Sequence, residues 1–189
     1  MNDALLDLLR RVGTPSVCNS LTAKIAVVAP PTEPADVIRA RRMECYRHMA
    51  EGPRPALAVL GHLDCAEAVG AFWGEINTTI HQCFGLSGAL TNGVMRDLDD
   101  MADGFPVIAG SVEPSHGFVH VLDIGASVTV FGLTVDDGNL VHADRHGAVV
   151  IPEAHVAELD RAIHKRLDTE ALILGSARQP DFDFEAAGT

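Results

Sequence analysis

The sequence predicts an α/β protein built as a single layered β/β/α domain. Three observations predict it: the first half alternates short apolar runs with helical patterns, the part from Phe118 onward is a series of short Val-rich segments separated by Gly or Asp-Gly, and a long amphipathic stretch closes the chain. An αβ half, a meander and a final helix specify layers packed around one core. The domain is expected to span residues 1–175, with 176–189 as a loosely held tail.

Taken in order, residues 3–11 and 15–21 read as helices, the second capped by Thr14 with Pro15 at its first position. Residues 22–29 read as a strand stopped by Pro30-Pro31, and 34–50 as a helix with Val37, Ile38, Cys45 and Met49 facing inward. The run 56–61, Ala-Leu-Ala-Val-Leu-Gly, is continuously apolar, the pattern of a strand covered on both faces. A helix over 75–84, a buried strand over 86–91 and a short strand over 106–109 follow. The segments after Phe118 read as antiparallel sheet, with tight connections at Asp137-Gly138 and His146-Gly147. The closing helix, 153–174, carries its apolar stripe on Val156, Leu159, Ile163, Leu167 and Leu172.

Composition narrows the function classes. A chain of 189 residues that is 47% hydrophobic can bury one sizeable core. A net charge of −12 repels phosphate backbones and disfavours nucleic-acid binding. The local exception is Arg39, Arg41, Arg42 and Arg47, read either as a solvated helix face or as an oligomer contact or access patch for anionic substrates. No apolar run approaches the roughly eighteen residues needed to span a bilayer. The amino-terminal pattern lacks the features of a secretory signal, so a soluble cytoplasmic protein is expected. Cys18, Cys45, Cys65 and Cys83 form no Cys-x-x-Cys pair and lie among apolar residues, which suits structural thiols better than a zinc site.

The most informative segment runs from Gly74 to Asp97. A Gly-acid pair opens a helix, and twenty residues separate Glu75 from Arg96. That is room for a helix, a Gly turn and a strand, so both ends can return to one sheet edge. At the helix start, the amides of Glu75, Ile76 and Asn77 after Gly74 can hold a carboxylate; the alternative is an ordinary strand-to-helix turn in which Glu75 stabilises its own helix end. Arg96 offers a planar fork to a substrate carboxylate. Asp97 offers a hard oxygen to Mg²⁺, which is often held by one or two protein carboxylates with water completing the shell. The alternative for Arg96-Asp97 is an internal ion pair or a helix cap.

Other constellations weigh less. His142, Asp144 and His146 alternate and could share a strand face as a metal site, but Asp144-Arg145-His146-Gly147 reads better as a hairpin turn. His81 reads as a packed polar residue, and His116 and His120 as structural or interfacial. The lysines are Lys24 and Lys165, both remote in sequence from the Gly74–Asp97 segment, so a Schiff-base aldolase lacks its nucleophile. There is no Gly-x-Ser-x-Gly elbow, Gly-x-Gly-x-x-Gly fingerprint or phosphate-binding loop.

The stretch from Gly74 to Met101, with Gly104–Gly125 and Gly138–Pro152, resembles the RraA-like family over roughly residues 56–175. That family contains divalent-metal 4-hydroxy-4-methyl-2-oxoglutarate/4-carboxy-4-hydroxy-2-oxoadipate aldolases and the regulator of ribonuclease activity A. The resemblance implies a β/β/α fold of the swivelling-domain type, assembled as a homotrimer or hexamer. It implies a 2-oxo acid substrate held by Gly74, Glu75, Ile76, Asn77 and Arg96, with Mg²⁺ or Mn²⁺ on Asp97. It places catalytic roles on Arg96, Glu75 and Glu170, the last as an acid from a neighbouring subunit. Two features depart from the family: Glu75 stands where Asp is more usual, and Cys18–Leu21 runs directly into Thr22–Ile25 where relatives carry some thirty more residues. The implied reaction is retro-aldol cleavage to pyruvate. The rival readings are a non-catalytic regulator that binds an RNA-processing endoribonuclease, and a simple 2-oxo acid-binding module.

Overall fold

A computed structural model describes residues 4–5, 7–8, 16–64 and 69–184. The chain divides into two compact units, residues 9–151 and residues 1–8 with 152–189. In the larger unit, β1 (Ser16–Ala26) is the organising strand. It pairs antiparallel with β11 (Leu140–Asp144) through Ser16–Asn19, parallel with β2 (Ala56–His62) through Asn19–Ile25, and antiparallel with β8 (His120–Ile124) through Ala23–Ala26. The mixed sheet runs β12 (Gly147–Ile151), β11, β1, β2, β4 (Leu86–Thr91), β6 (Val107–Ile108), with β8 off this path, paired to the Ala23–Ala26 end of β1. Among the described residues the helices of this unit are α1 (Ala35–Glu51) and α2 (Glu75–Cys83).

The expected helix over 15–21 is therefore a strand. Thr14 and Pro15, its supposed cap, lie outside the described residues. Non-local pairing overrides the local signal here. Ser20 N donates to Asn139 O at 2.8 Å, Ser20 Oγ donates to Asp136 O at 2.7 Å, and Asn19 Nδ2 donates to Pro55 O at 3.0 Å. Cys18, Ser20 and Leu21 are buried, and a backbone saturated by ladder bonds has no reason to coil. The short junction at Leu21-Thr22 is thus spanned by one continuous strand. Of the expected helix over 3–11, residues 4, 5, 7 and 8 are helical and the remainder lies outside the described residues.

The strand β2 is buried at every position, as its unbroken apolar run predicts. Its side chains alternate between two cores. Ala56, Ala58 and Leu60 pack with Ile25, Cys45, Met49, Trp73 and Val121, whereas Leu57 and Val59 pack with Leu90, Val130, Val135 and Val141. The second core is closed by the hairpin of β9 (Val128–Val130) and β10 (Leu133–Val135). The α1 and α2 ends are tied together by Arg54, whose Nη2 donates to Met49 O at 2.6 Å and Phe84 O at 2.7 Å. A cation on these late-helix carbonyls satisfies groups the helices leave unpaired.

A second, small parallel sheet positions the candidate site. It has the order β3 (Ala71–Trp73), β5 (Val94–Met95), β7 (Ser111–Val112), in strands too short to leave a periodic signature. Trp73 ends β3 and is fully buried. Because the strands are parallel, the residues after β3 and after β5 emerge on the same edge.

The His142–His146 region forms the expected hairpin: β11 and β12 pair through Asp144↔Gly147, with Arg145 and His146 in the turn. Asp144 accepts from His146 N at 2.7 Å. Cys18 and Cys45 are buried as expected, but Cys83 is exposed at the end of α2, and Cys65 lies outside the described residues. In the smaller unit, α3 (Glu153–Ala177) extends three residues past its expected end. Val156, Leu159 and Ile163 are half-buried, whereas Leu167 and Leu172 are exposed. No helix among the described residues is long and apolar enough to cross a membrane.

Candidate active site

The edge formed after β3 and β5 brings Gly74-Glu75 and Arg96-Asp97 together. Arg96 N donates to Trp73 O at 3.0 Å, which fixes the start of the Arg-Asp pair against the end of β3. Ligand sites form at the carboxyl ends of parallel strands because strand ends and helix starts converge there. Gly74 precedes α2 in extended conformation, and a Cβ at this position would lie 2.5 Å from Asp97 Oδ2 and 3.2 Å from Arg96 Cγ. Glycine is thus required by the close approach of the two segments.

Asp97 Oδ2 accepts from Glu75 N at 3.3 Å and lies 3.5 Å from Arg96 Nε. The first intrahelical bond of α2 is Thr78 N to Gly74 O at 3.0 Å, so the amides of Glu75, Ile76 and Asn77 have no partner within the helix. Asp97 takes the first of these. The amides of Ile76 and Asn77 have no protein acceptor among the described residues, and they carry the positive end of the helix. Of the three amides expected from the sequence to be free at the helix start, that of Glu75 is therefore occupied by Asp97. Asp97 itself has φ 54°. A non-glycine residue in the left-handed region is uncommon, though Asp tolerates it better than most, and such conformations concentrate at functional sites.

In front of this edge lies a cavity of about 490 Å³, lined by Ile38, Arg42 and Tyr46 from α1, Gly74, Ile76 and Asn77 from the start of α2, Arg96, and residues 116–121 before and within β8. That volume suits a small ligand. The α1 wall is fixed by Tyr46 Oη, which donates to Asn77 Oδ1 at 3.0 Å, while Asn77 Nδ2 donates to Phe72 O at 2.6 Å. Burial raises the Tyr46 pKa, with Arg42 pulling the other way, so the phenol stays protonated and keeps donating. Behind the wall, His81 is fully buried among Tyr46, Phe72, Trp73 and Phe84, and its Nδ1 pairs with Asn77 O at 2.6 Å. Burial pushes its pKa down to about 4, so it is a neutral packing residue as expected.

Among the sequence-predicted site residues, Gly74, Ile76, Asn77 and Arg96 line the cavity. Glu75 and Asp97 adjoin it but are not part of its lining. Glu75 is exposed on the first turn of α2, and the Asp97 side chain is 31% exposed beside Gly74. Glu170 belongs to the smaller unit, on α3, where it accepts from Arg166 Nε at 2.8 Å. Arg42 and Tyr46 also line the cavity but were not singled out as candidate site residues. Arg42 was read only within its group of four arginines, as a solvated face or as an oligomer contact or access patch, and Tyr46 carried no sequence signal.

Among the described residues no three His, Cys, Asp or Glu side chains cluster into a metal site. A hydrated dication needs less. Asp97 Oδ1 has no hydrogen-bond partner among the described residues, and one carboxylate oxygen with waters fits the coordination habit of Mg²⁺. The donor set therefore suits a hard, water-rich ion and not zinc.

Residues 20–150 match the family model described as RraA-like, Aldolase/RraA. The chain belongs to this family. An uncharacterised protein of Methanocaldococcus jannaschii is 30% identical over 102 residues, covering 50% of this chain and 49% of that protein. The chain thus spans about half the length of that curated relative. Two solved structures share the fold. An uncharacterised protein of Pseudomonas syringae pv. tomato superposes with a TM-score of 0.66 at 19% identity, covering 100% of this chain and 93% of that one. Streptomyces coelicolor RraAS2, described as an unusual member of the RNase ES inhibitor RraA protein family, gives 0.66 at 18% identity, covering 95% and 98%. The RraA-like family includes both enzymes and non-catalytic members, so membership alone does not assign a reaction.

Proposed function

We propose that this RraA-like protein is a divalent-metal-dependent lyase. It cleaves 4-hydroxy-2-oxo acids of the 4-hydroxy-4-methyl-2-oxoglutarate type to pyruvate, and decarboxylates oxaloacetate as a side activity. The observation that supports this reading is that Arg96 and the unpaired amides of Ile76 and Asn77 meet at a ligand-sized cavity, with the Asp97 carboxylate beside Arg96 and the helix start.

In this mechanism Arg96 and the two amides hold the substrate carboxylate and orient the 2-keto oxygen toward the guanidinium. A water held by Glu75 takes the 4-hydroxyl proton. The electron pair of that O–H bond becomes the new carbonyl, the C3–C4 bond breaks, and its electrons pass to the C2–C3 enolate of pyruvate. Arg96 stabilises the enolate oxygen as charge develops, a contribution of about 2.7–4 kcal/mol when a comparable donor is removed. Mg²⁺ or Mn²⁺ held through Asp97 would supply further polarisation of the keto oxygen. A proton delivered to C3, from water or from Glu170 of a neighbouring subunit, completes pyruvate. Proteins of this family are typically oligomeric, and a homotrimer or hexamer is proposed here. Oxaloacetate decarboxylation forms the same enolate, which is why it is expected alongside.

The second reading, a non-catalytic regulator of an RNA-processing endoribonuclease, is favoured by the description of the Streptomyces protein and by the net charge of −12. Product formation from 4-hydroxy-2-oxo diacids with Mg²⁺ or Mn²⁺ tests the choice. The lyase reading expects pyruvate release that chelator abolishes. Chelator-indifferent capture of an endoribonuclease with no pyruvate formed would support the regulator instead.

A further inference from the structure

Arg42 is set apart from its neighbours on α1. Arg41 is neutralised by Glu33, through Nη1 to Oε2 at 2.6 Å and Nη2 to Oε1 at 2.7 Å. Arg42 makes no hydrogen bond or ion pair among the described residues, yet it lines the cavity. It stands between Ile38 and Tyr46 at spacings of four residues, so the three share one helix face, and all three line the same wall. Arg96 lines the same cavity. No Asp or Glu contributes to the lining at all, although the whole chain carries 26 acids against 14 bases. A cavity lined by two guanidiniums and no carboxylate, with only Asp97 beside Arg96, keeps positive charge on the Arg42 wall of a protein of net charge −12.

We propose that Arg42 is a specificity-determining residue that binds a second anionic group of the ligand, while Arg96 binds the first. Arg96 takes the 2-oxo acid head and Arg42 takes the distal carboxylate, so the site selects dianionic over monoanionic 2-oxo acids. A guanidinium suits this task because it stays charged and offers a planar fork to a carboxylate. The Tyr46–Asn77 bond holds the α1 wall against the start of α2 and so fixes the span between the two arginines. This inference rests on the assignment of Arg96 as the head-group anchor.

The test is calorimetric binding, in Mg²⁺, of two unreactive 2-oxo acids to the full chain: 2-oxoglutarate with two carboxylates and 2-oxobutyrate with one. The wild type is expected to prefer 2-oxoglutarate by about tenfold or more, a typical yield for one charge-assisted contact. Arg42→Gln should abolish that preference while leaving 2-oxobutyrate affinity unchanged, and Arg42→Lys should restore part of it. Unchanged 2-oxoglutarate binding in Arg42→Gln, or an equal loss for both acids, would overturn the inference. Arg96→Gln separates the two assignments. Loss of both acids in that variant supports the head-group anchor, whereas undiminished binding of both overturns the anchor even if Arg42 still discriminates.

Discussion

The Asp97 carboxylate reaches across Gly74 to the Glu75 amide, with Oδ2 at 3.3 Å from the nitrogen. The contact couples the residue after β5 to the helix after β3, and nothing larger than hydrogen fits between them. It also distinguishes the two carboxylate oxygens: Oδ2 faces the helix start and Arg96, and Oδ1 has no hydrogen-bond partner among the described residues.

Gly74→Ala should therefore damage activity more than stability. The added methyl would meet Asp97 Oδ2 at 2.5 Å and force the carboxylate or the helix start to move. Misplacement of a reacting group by about 1 Å can cost about 10²-fold in rate. Pyruvate release from oxaloacetate should fall by about that factor, with a cooperative thermal transition retained. An unchanged rate would show that the Gly74–Asp97 approach is irrelevant to turnover.

Acid should destabilise the fold through His81. Its folded pKa, pushed down to about 4 by burial, lies below the usual value of 6.5, so the unfolded chain binds the proton more readily between these values. The stability this histidine contributes is complete above pH 6.5 and is lost as pH falls toward 4, to a limit of about 3 kcal/mol. Burial lowers the His62 pKa as well and adds in the same direction. Denaturant unfolding at pH 7.5 and pH 5 measures the difference. Its reduction in His81→Phe is the expected result, and an identical pH dependence in that variant would contradict the assignment.

Thiol reactivity should separate the cysteines. Burial pushes the Cys45 thiol up to about 11, whereas Cys83 is exposed on α2. Because the thiolate is the reactive form, alkylation of Cys45 at pH 8 should be at least about 10²-fold slower than that of Cys83 until the protein is unfolded. Peptide mass mapping after timed alkylation reads both sites. Comparable rates would mean that the α1 face opens readily.

Much of this architecture was legible before the structure. The continuous apolar runs at Ala56–Gly61 and Leu86–Thr91 are strands because only a doubly covered strand tolerates such a pattern. The spacing of Glu75 and Arg96 reported a shared edge correctly, since a parallel strand–helix–strand unit returns to its starting side. Ser16–Leu21 was misread because its fate is decided by partners such as Asn139 that are remote in sequence. The sheet of β3, β5 and β7 escaped notice because strands of two or three residues have no period. Arg42 was visible as one of four arginines, but only tertiary packing distinguishes it from the paired Arg41.

The central claim is that Asp97 makes this chain a metal-dependent lyase, and Asp97→Asn tests it most directly. Asn also accepts a backbone at φ 54°, so the substitution removes the charge without imposing the strain that Ala would. The measurement is pyruvate release from oxaloacetate across a Mn²⁺ titration, beside the wild type. The account predicts a saturable metal response in the wild type and its loss in Asp97→Asn with the fold intact; full metal-stimulated activity in the variant would contradict it.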